Sequence, residues 1–576
     1  MTDEDDFRVR PGKGQSRGSS KVRVRSLAAQ VKRAAARSGT SLRTGRRGSG
    51  TGQLGRGRVV ALRARRSPTT RRVIVKARVV RHHGGVRAAP LGRHIAYLER
   101  EGVTRDGSDA SLFDARSDRV DGDAFAERCG DDRHHFRFIV SPEDAGEMAD
   151  LRAFTRELMG DAARDLGTEL DWVAIDHWNT DNPHVHVLVR GVADDGADLV
   201  IDRGYIAQGL RDRAEARVTL ELGPRSAREI DQGLTREVEA DRWTSLDRAL
   251  VARCDEQGLV DLRRDPAVQV LRRDQLLLGR ARKLERLGFA TAAGSGCWAV
   301  KPDLEARLRE LGERGDIIKS IHRAMRDRPL QDGQVAIHSP GTQDPVLGRL
   351  VERGLHDELA GTAYAIVEGV DGRHHHLRFA DLDLTGDAMP GAIVELRQWE
   401  GRNGAPRQAL AVRSDLPLEA QISARGATWL DRQLLRPDPS MTSLGFGGEV
   451  GAALRAREEE LIGEGLARRQ GGRVLFQPGL IDTLRSQELR QAVDAISART
   501  GLDAYSPSPG SVIAGTYRER VTLASGRFAM IDDGLGFQLV PWRPALDGQL
   551  GHSVTGTMNA GGGIEWTIGR SRGLGI

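Results

Sequence analysis

One stretch constrains this chain more than any other: Asp176-His177-Trp178-Asn179-Thr180-Asp181-Asn182-Pro183-His184-Val185-His186-Val187-Leu188-Val189. From His184 the residues alternate as they do in a half-buried strand. A period of two puts His184 and His186 on one face and Val185, Val187 and Val189 on the other. Residues 172–177 read as a second strand, and the Asn, Asp and Pro residues between the two mark a turn. An antiparallel hairpin then brings His177 back beside His184 and His186. Three imidazoles converging on one point suit a divalent cation with positions left open for substrate. A strand with two solvent-facing histidines would explain His-Val-His, but not a third histidine across a tight turn. The same donor pattern also occurs in zinc hydrolases.

At 576 residues the chain is too long for one domain, and three or four are expected. Its charge is uneven. Residues 1–72 hold twenty Lys/Arg against four Asp/Glu, a net of +16, which leaves −10 on the rest of a chain whose total is +6. That tail is rich in Gly, Ser and Arg and poor in aromatics, so it reads as a disordered cationic arm, a common nucleic-acid footprint. Cys129, Cys254 and Cys297 are odd in number and scattered, which argues against a disulfide framework and for a reducing, cytoplasmic setting. No long uncharged apolar run predicts a membrane span, and Met-Thr-Asp-Glu-Asp-Asp is not a secretory signal.

Beyond the tail, residues 72–80 form an apolar/basic strand. Residues 89–102 read as a short helix closed by Gly102, carrying Tyr97 with His94 one turn earlier. Residues 136–140 form another strand, and Ser141-Pro142-Glu143-Asp144 then reads as a helix start, with Ser141 as N-cap and Pro142 at the first helical position. Met148, Leu151, Leu158, Ala162 and Leu166 continue that helix to Gly167. Tyr205 begins a later helix-like segment. Strand, helix, strand, helix and the hairpin predict an α+β sheet domain with helices on one face.

Past residue 240 an internal echo appears. Residues 284–304 read helix, hairpin, helix, and so do residues 461–480, in each case the outline of a winged helix. Each is followed by a β-rich segment with an Asp-Gly turn, at Asp371-Gly372 and at Asp533-Gly534. His374-His375-His376 cannot all share one face of a strand, so the run reads as solvated rather than as a metal cluster.

A cation on three histidines can stabilise an in-line displacement at phosphorus, and a tyrosine hydroxyl can act as the nucleophile. His-hydrophobic-His after a proline, with an upstream histidine, resembles motif III of the HUH-type conjugative relaxases, the mobilisation nucleases. Tyr97-Leu98-Glu99-Arg100-Glu101-Gly102, placed before it, resembles their motif I. Ile139-Val140-Ser141-Pro142 resembles the serine motif of the family's P-type branch, which contacts DNA beside the scissile site. The likeness spans residues 73–205.

It implies that Tyr97 is the nucleophile and that His177, His184 and His186 hold a divalent cation, Mg or Mn. It also implies that Ser141 touches DNA and that the reaction nicks and rejoins single-stranded or supercoiled DNA at a transfer origin. The partners would be accessory DNA-processing proteins and a type IV secretion coupling protein. His94 is a candidate proton acceptor. Some relatives carry Asp where Asn179 stands, which leaves open whether Asp176 or Asp181 supplies the carboxylate beside the ligands. A rolling-circle replication initiator would instead use Tyr205, and a zinc hydrolase with three histidine ligands would use neither tyrosine.

The whole reads as an α+β chain. Residues 1–72 are the tail and 73–235 an HUH-type antiparallel sheet with helices. Residues 236–330 form a winged-helix-like unit, 345–405 a small β-barrel, 440–495 a second winged-helix-like unit and 505–576 a C-terminal β-barrel.

Overall fold

A computed structural model of the chain describes residues 56–57, 67–82, 89–101, 103–178, 180, 182–263, 272–325, 334–339, 341–342, 344–401, 404, 406–508, 510–559 and 563–567. The basic tail therefore lies outside the described residues except for 56–57 and 67–72. The chain divides into two compact units, Met1–Gln232 and Gly233–Ile576. Both mix helices with sheets that are mainly antiparallel. No helix among the described residues is long and apolar enough to cross a membrane. The three cysteines are free.

The first unit contains β1 (Val73–Arg81), α1 (Ala89–Glu101), α2 (Gly122–Arg128), β2 (His134–Pro142), α3 (Leu151–Leu166), β3 (Trp172–His177), β4 (His184–Arg190) and α4 (Leu210–Leu222). The strands form one antiparallel sheet in the order β1-β2-β4-β3. Alternation sorts its two faces. Val73, Val75, Phe136, Phe138, Val140, Trp172, Ala174, Val185, Val187 and Val189 join one core with Leu158 and Ala162 of α3 and Ala214 and Val218 of α4. The histidines at 177, 184 and 186 take the other face, as a period of two requires. Gly191 ends β4 where the backbones of β4 and β2 nearly touch: a Cβ there would lie 1.9 Å from the His134 carbonyl oxygen.

Ser141 is not a helix cap. β1 pairs with β2 as far as Val73↔Pro142, so Ser141 is a strand residue. The helix starts ten residues later, at Leu151, where the Asp150 side chain accepts the amides of Arg152 and Ala153. Pro142 ends the strand, where a missing N–H costs little. Gly167 closes α3 in a left-handed conformation at φ 62°, as its sequence position predicts.

The second unit begins within α5 (Ala227–Glu239). It continues with α6 (Ser245–Val251), β5 (Leu259–Asp261), α7 (Arg272–Arg286), β6 (Ala290–Ala292), β7 (Cys297–Val300) and α8 (Leu304–Ala324). A sheet follows, made of β8 (Val335–Ile337), β9 (Leu347–Asp357), β10 (Thr362–Gly369), β11 (His374–Phe379), β12 (Ile393–Glu400) and β13 (Pro406–Ser414). The pattern then recurs as α9 (Leu418–Ile422), α10 (Trp429–Leu435), α11 (Gly445–Gly463), β14 (Ala467–Gln470), β15 (Arg473–Phe476) and α12 (Leu480–Thr500). Its sheet is β16 (Asp503–Ala504), β17 (Val512–Leu523), β18 (Gly526–Asp532), β19 (Gly536–Pro541), β20 (Ser553–Met558) and β21 (Ile564–Trp566).

The two six-stranded sheets share one topology, β13-β12-β9-β10-β11-β8 and β21-β20-β17-β18-β19-β16. In each, the first strand pairs parallel to the fourth. The helical parts match as closely. Thr244 and Asp247 form a capping box, and the buried Arg280 guanidinium binds both Asp247 oxygens and the carbonyls of Val238, Ala240 and Arg242. Thr428 and Asp431 form the second box, and Arg457 binds Asp431 and the carbonyls of Ile422, Ala424 and Gly426. In both copies those carbonyls stand nine, seven and five residues before the aspartate, so this unit is an internal duplication.

The run His374-His375-His376 is buried, not solvated. β11 lies between two covered faces. His376 sits opposite Ile366, on the side packed by Ile317 and Ile321 of α8, and Tyr364 stacks on it. His375 sits opposite Val367, on the side of the sheet's own apolar core.

Candidate metal centre

β3 and β4 pair His177 with His184 and Ile175 with His186. The three imidazoles therefore occupy neighbouring rungs of one face, with ring centroids 4.6–5.4 Å apart. All are buried. One ligand nitrogen from each lies within 4.8 Å of the others, and the Nε2 atoms of His184 and His186 are 3.1 Å apart.

The backbone settles two tautomers. His184 Nδ1 is 2.9 Å from the Asn182 carbonyl oxygen. A carbonyl only accepts, so Nδ1 carries the proton and Nε2 presents its lone pair toward His186. His177 Nε2 is 3.2 Å from the Leu98 carbonyl oxygen, which leaves Nδ1 as the donor atom of that ring. Hydrogen bonds of this kind to the second ring nitrogen orient metal-binding imidazoles. Three clustered imidazoles, two of them turned by backbone carbonyls, fit a divalent cation.

The other predicted residues divide. Leu98 follows Tyr97 directly, so the His177–Leu98 bond ties the tyrosine's helix to the hairpin. Tyr97 and His94 are both buried on α1 beside the stripe Leu91, Ile95 and Leu98. Ser141 Oγ donates to the Pro183 carbonyl at 3.2 Å and so pins the turn just before His184. Asp176 does not orient a histidine. It points to the opposite face, where Arg152 Nε and Trp178 Nε1 each donate to it at 2.9 Å. Asp181 lies outside the described residues.

Tyr205 is brought nowhere near the histidines' face. It belongs to the helix-side core, and its hydroxyl donates to Asp165 at 3.0 Å. Burial, with the Asp165 charge beside it, pushes its phenol far above the usual range.

The face carrying the histidines is also cationic toward β1. Register aligns Lys76 with Ile139 and His186, and Arg78 with Arg137 and Leu188. Lys76 and Arg78 are exposed. Arg137 Nε donates to His135 Nε2 at 3.0 Å, and His135 Nδ1 meets His82 Nε2 at 2.7 Å. Burial, helped by the neighbouring Arg137 charge, pushes His135 down to about 2, so it is neutral. The separate spacings of these residues along the chain carry no signal of this network.

No curated protein and no solved structure matches the chain. A sequence family does, over residues 277–409 and 397–575, a span that lies in the second unit and leaves the histidine hairpin outside it. Because that span exceeds half of its length, the chain belongs to the family described as "Protein of unknown function (DUF3363)".

Proposed function

We propose that the first unit is an HUH-type relaxase domain that nicks and rejoins single-stranded DNA through a 5′-phosphotyrosine on Tyr97. The observation that carries this is the triple-histidine face joined, through His177 and the Leu98 carbonyl, to the helix bearing Tyr97. His177, His184 and His186 would hold the divalent cation, Mg or Mn. A bound cation supplies positive charge that polarises a phosphoryl oxygen.

The chain's own groups do the rest. The Tyr97 hydroxyl oxygen bonds to phosphorus, the bond to the 3′-oxygen breaks, and that oxygen leaves as the hydroxyl. His94, one turn back on the same helix, is the candidate acceptor of the phenol proton. Ser141 holds the turn that presents His184. The reverse step restores the phosphodiester, because a phosphotyrosine link conserves its energy. Transfer-origin DNA, accessory DNA-processing proteins and a type IV coupling protein are the partners this reading proposes.

The test is metal binding read separately from cleavage. Calorimetric titration with Mn should give one site in the first unit, and the His184→Ala/His186→Ala double variant should lose it while its far-UV spectrum is unchanged. Nicking of supercoiled DNA that carries a transfer origin should fall with it, by at least about 10³-fold. Nicking at the wild-type rate by that variant in chelator would sink the proposal.

The tail gives a second expected result. Each phosphate neutralised adds about −0.7 to −0.9 to the log–log salt slope of binding. Removing residues 1–55 should flatten the slope for DNA of any sequence. An unchanged slope would assign the tail to some other partner.

A further inference from the structure

We propose that the first six-stranded sheet of the second unit carries a separate reactive site, in which the Thr342 hydroxyl is a nucleophile, His338 its base, and His375 and Asp371 the residues that position that base. Four hydrogen bonds in series suggest it. The Asp344 amide donates to Thr342 Oγ1 at 3.3 Å, and that oxygen lies 3.3 Å from His338 Nδ1. His338 Nε2 is 2.8 Å from His375 Nδ1, and His375 Nε2 is 2.9 Å from Asp371 Oδ1. One assignment of protons satisfies every link. Asp371 accepts from His375 Nε2–H, His375 Nδ1 accepts from His338 Nε2–H, and His338 Nδ1 is left to accept the Thr342 proton. A nucleophile, a base in reach of it and a group orienting that base is the arrangement that activates a hydroxyl.

The surroundings agree. His338 and His375 are 6 % and 1 % exposed, whereas Thr342 is half-exposed. Burial lowers the His338 pKa, so the ring is neutral and able to take a proton. Burial works against the Asp371 carboxylate, yet His375 and Arg373 hold it well below the usual range. Asp344 Oδ2, 3.6 Å from His338 Nδ1, can stabilise the imidazolium once it forms. Thr342 also lines a cavity of about 250 Å³ with Gly341, Gln398, Trp399, Glu400 and Arg407. Trp399 is 45 % exposed and pairs across the β12–β13 ladder with Arg407. An aromatic face beside a guanidinium suits an ester that carries a planar group and a negative charge.

The duplicated sheet shows that the fold does not require these histidines. Gly348 of β9 lies against the Glu368 carbonyl as Gly515 of β17 lies against that of Asp532, and the amides of His338 and Tyr505 donate to the carbonyls of His376 and Phe537. Tyr505 therefore stands where His338 stands, each ten residues before its glycine, and β19 contains no histidine. There the Tyr505 hydroxyl reaches Asp533 directly, at 2.7 Å. One bond closes the second sheet, whereas the first places two buried imidazoles between its aspartate and a cavity.

In the proposed step Thr342 Oγ1 bonds to the carbonyl carbon of the ester and the bond to the alcohol oxygen breaks. The threonine proton passes to His338 Nδ1 and from there to the departing oxygen, and water later frees the acid by the same route.

A fluorophosphonate traps such a hydroxyl: the P–O bond forms, fluoride leaves, and the proton again goes to His338. Full-length protein treated with a fluorophosphonate should gain one adduct that peptide mapping places on Thr342. Thr342→Ala should lose it and Thr342→Ser should keep it. His375→Asn should label at least tenfold more slowly, with the midpoint of its rate–pH profile displaced, which a merely structural role would not produce in a variant of unchanged melting temperature. Failure of the wild type to label, labelling at another residue, or an unchanged rate and profile in His375→Asn would each overturn the proposal. None of these readouts depends on DNA cleavage.

Discussion

Tyr97→Phe is expected to abolish covalent attachment of the protein to nicked DNA, a loss of at least about 10³-fold, and to leave folding and metal binding as they were. The substitution removes one oxygen from a side chain that is 8 % exposed on α1. It leaves Leu91, Ile95 and Leu98 to pack the helix and the Leu98 carbonyl to hold His177. A phenol is a weak nucleophile at neutral pH unless a cation or base acts on it, so attack depends on the histidine face that this helix adjoins. Tyr205→Phe should leave attachment intact. The Tyr205 hydroxyl is engaged with Asp165, and its raised pKa keeps it protonated. Denaturing gels with labelled oligonucleotide, then mapping of the adduct, decide the matter. An adduct on Tyr205 would favour the replication-initiator arrangement. Metal-dependent cleavage with no adduct on either residue would make the domain a hydrolase.

The largest stability effect should come from the arginines of the duplicated helical parts. Arg280–Asp247 and Arg457–Asp431 are ion pairs whose side chains are wholly buried. Each guanidinium also serves three backbone carbonyls. Removing one partner of such a pair strands the other charge and costs about 3–5 kcal/mol. Arg457→Leu should lower the melting midpoint of the second unit by on the order of 10 °C. Asp431→Leu added to it should cost less than the two single changes summed, because no charge is left unpaired. Additive single costs in that cycle would show that Arg457 acts through its carbonyl contacts alone. Arg280→Leu should behave alike if the two copies use the motif equally.

How much of this was legible depends on how local each cause is. The hairpin was, because strand period, turn composition and the faces of His184 and His186 are all set within fourteen residues. The same period already put Asp176 opposite His177, and its pairing with Arg152 of α3 is what that face demanded. Ser141 misled for a local reason as well. Ser-Pro followed by acids is a good helix start in isolation, but a nine-rung ladder with β1 carried the strand through it to Pro142.

The sequence by itself determined the α+β alternation, the histidine triad with its turn and the echo in the second half. Each rests on neighbours a few residues apart. Only the tertiary structure decided which carbonyl fixes the His177 tautomer, that Tyr205 is core, that β11 is covered on both faces, and that Asp371, His375, His338 and Thr342 form one chain of hydrogen bonds. These depend on pairings between segments tens of residues apart, which no local periodicity encodes. They are set when burial leaves each polar group few partners it can reach.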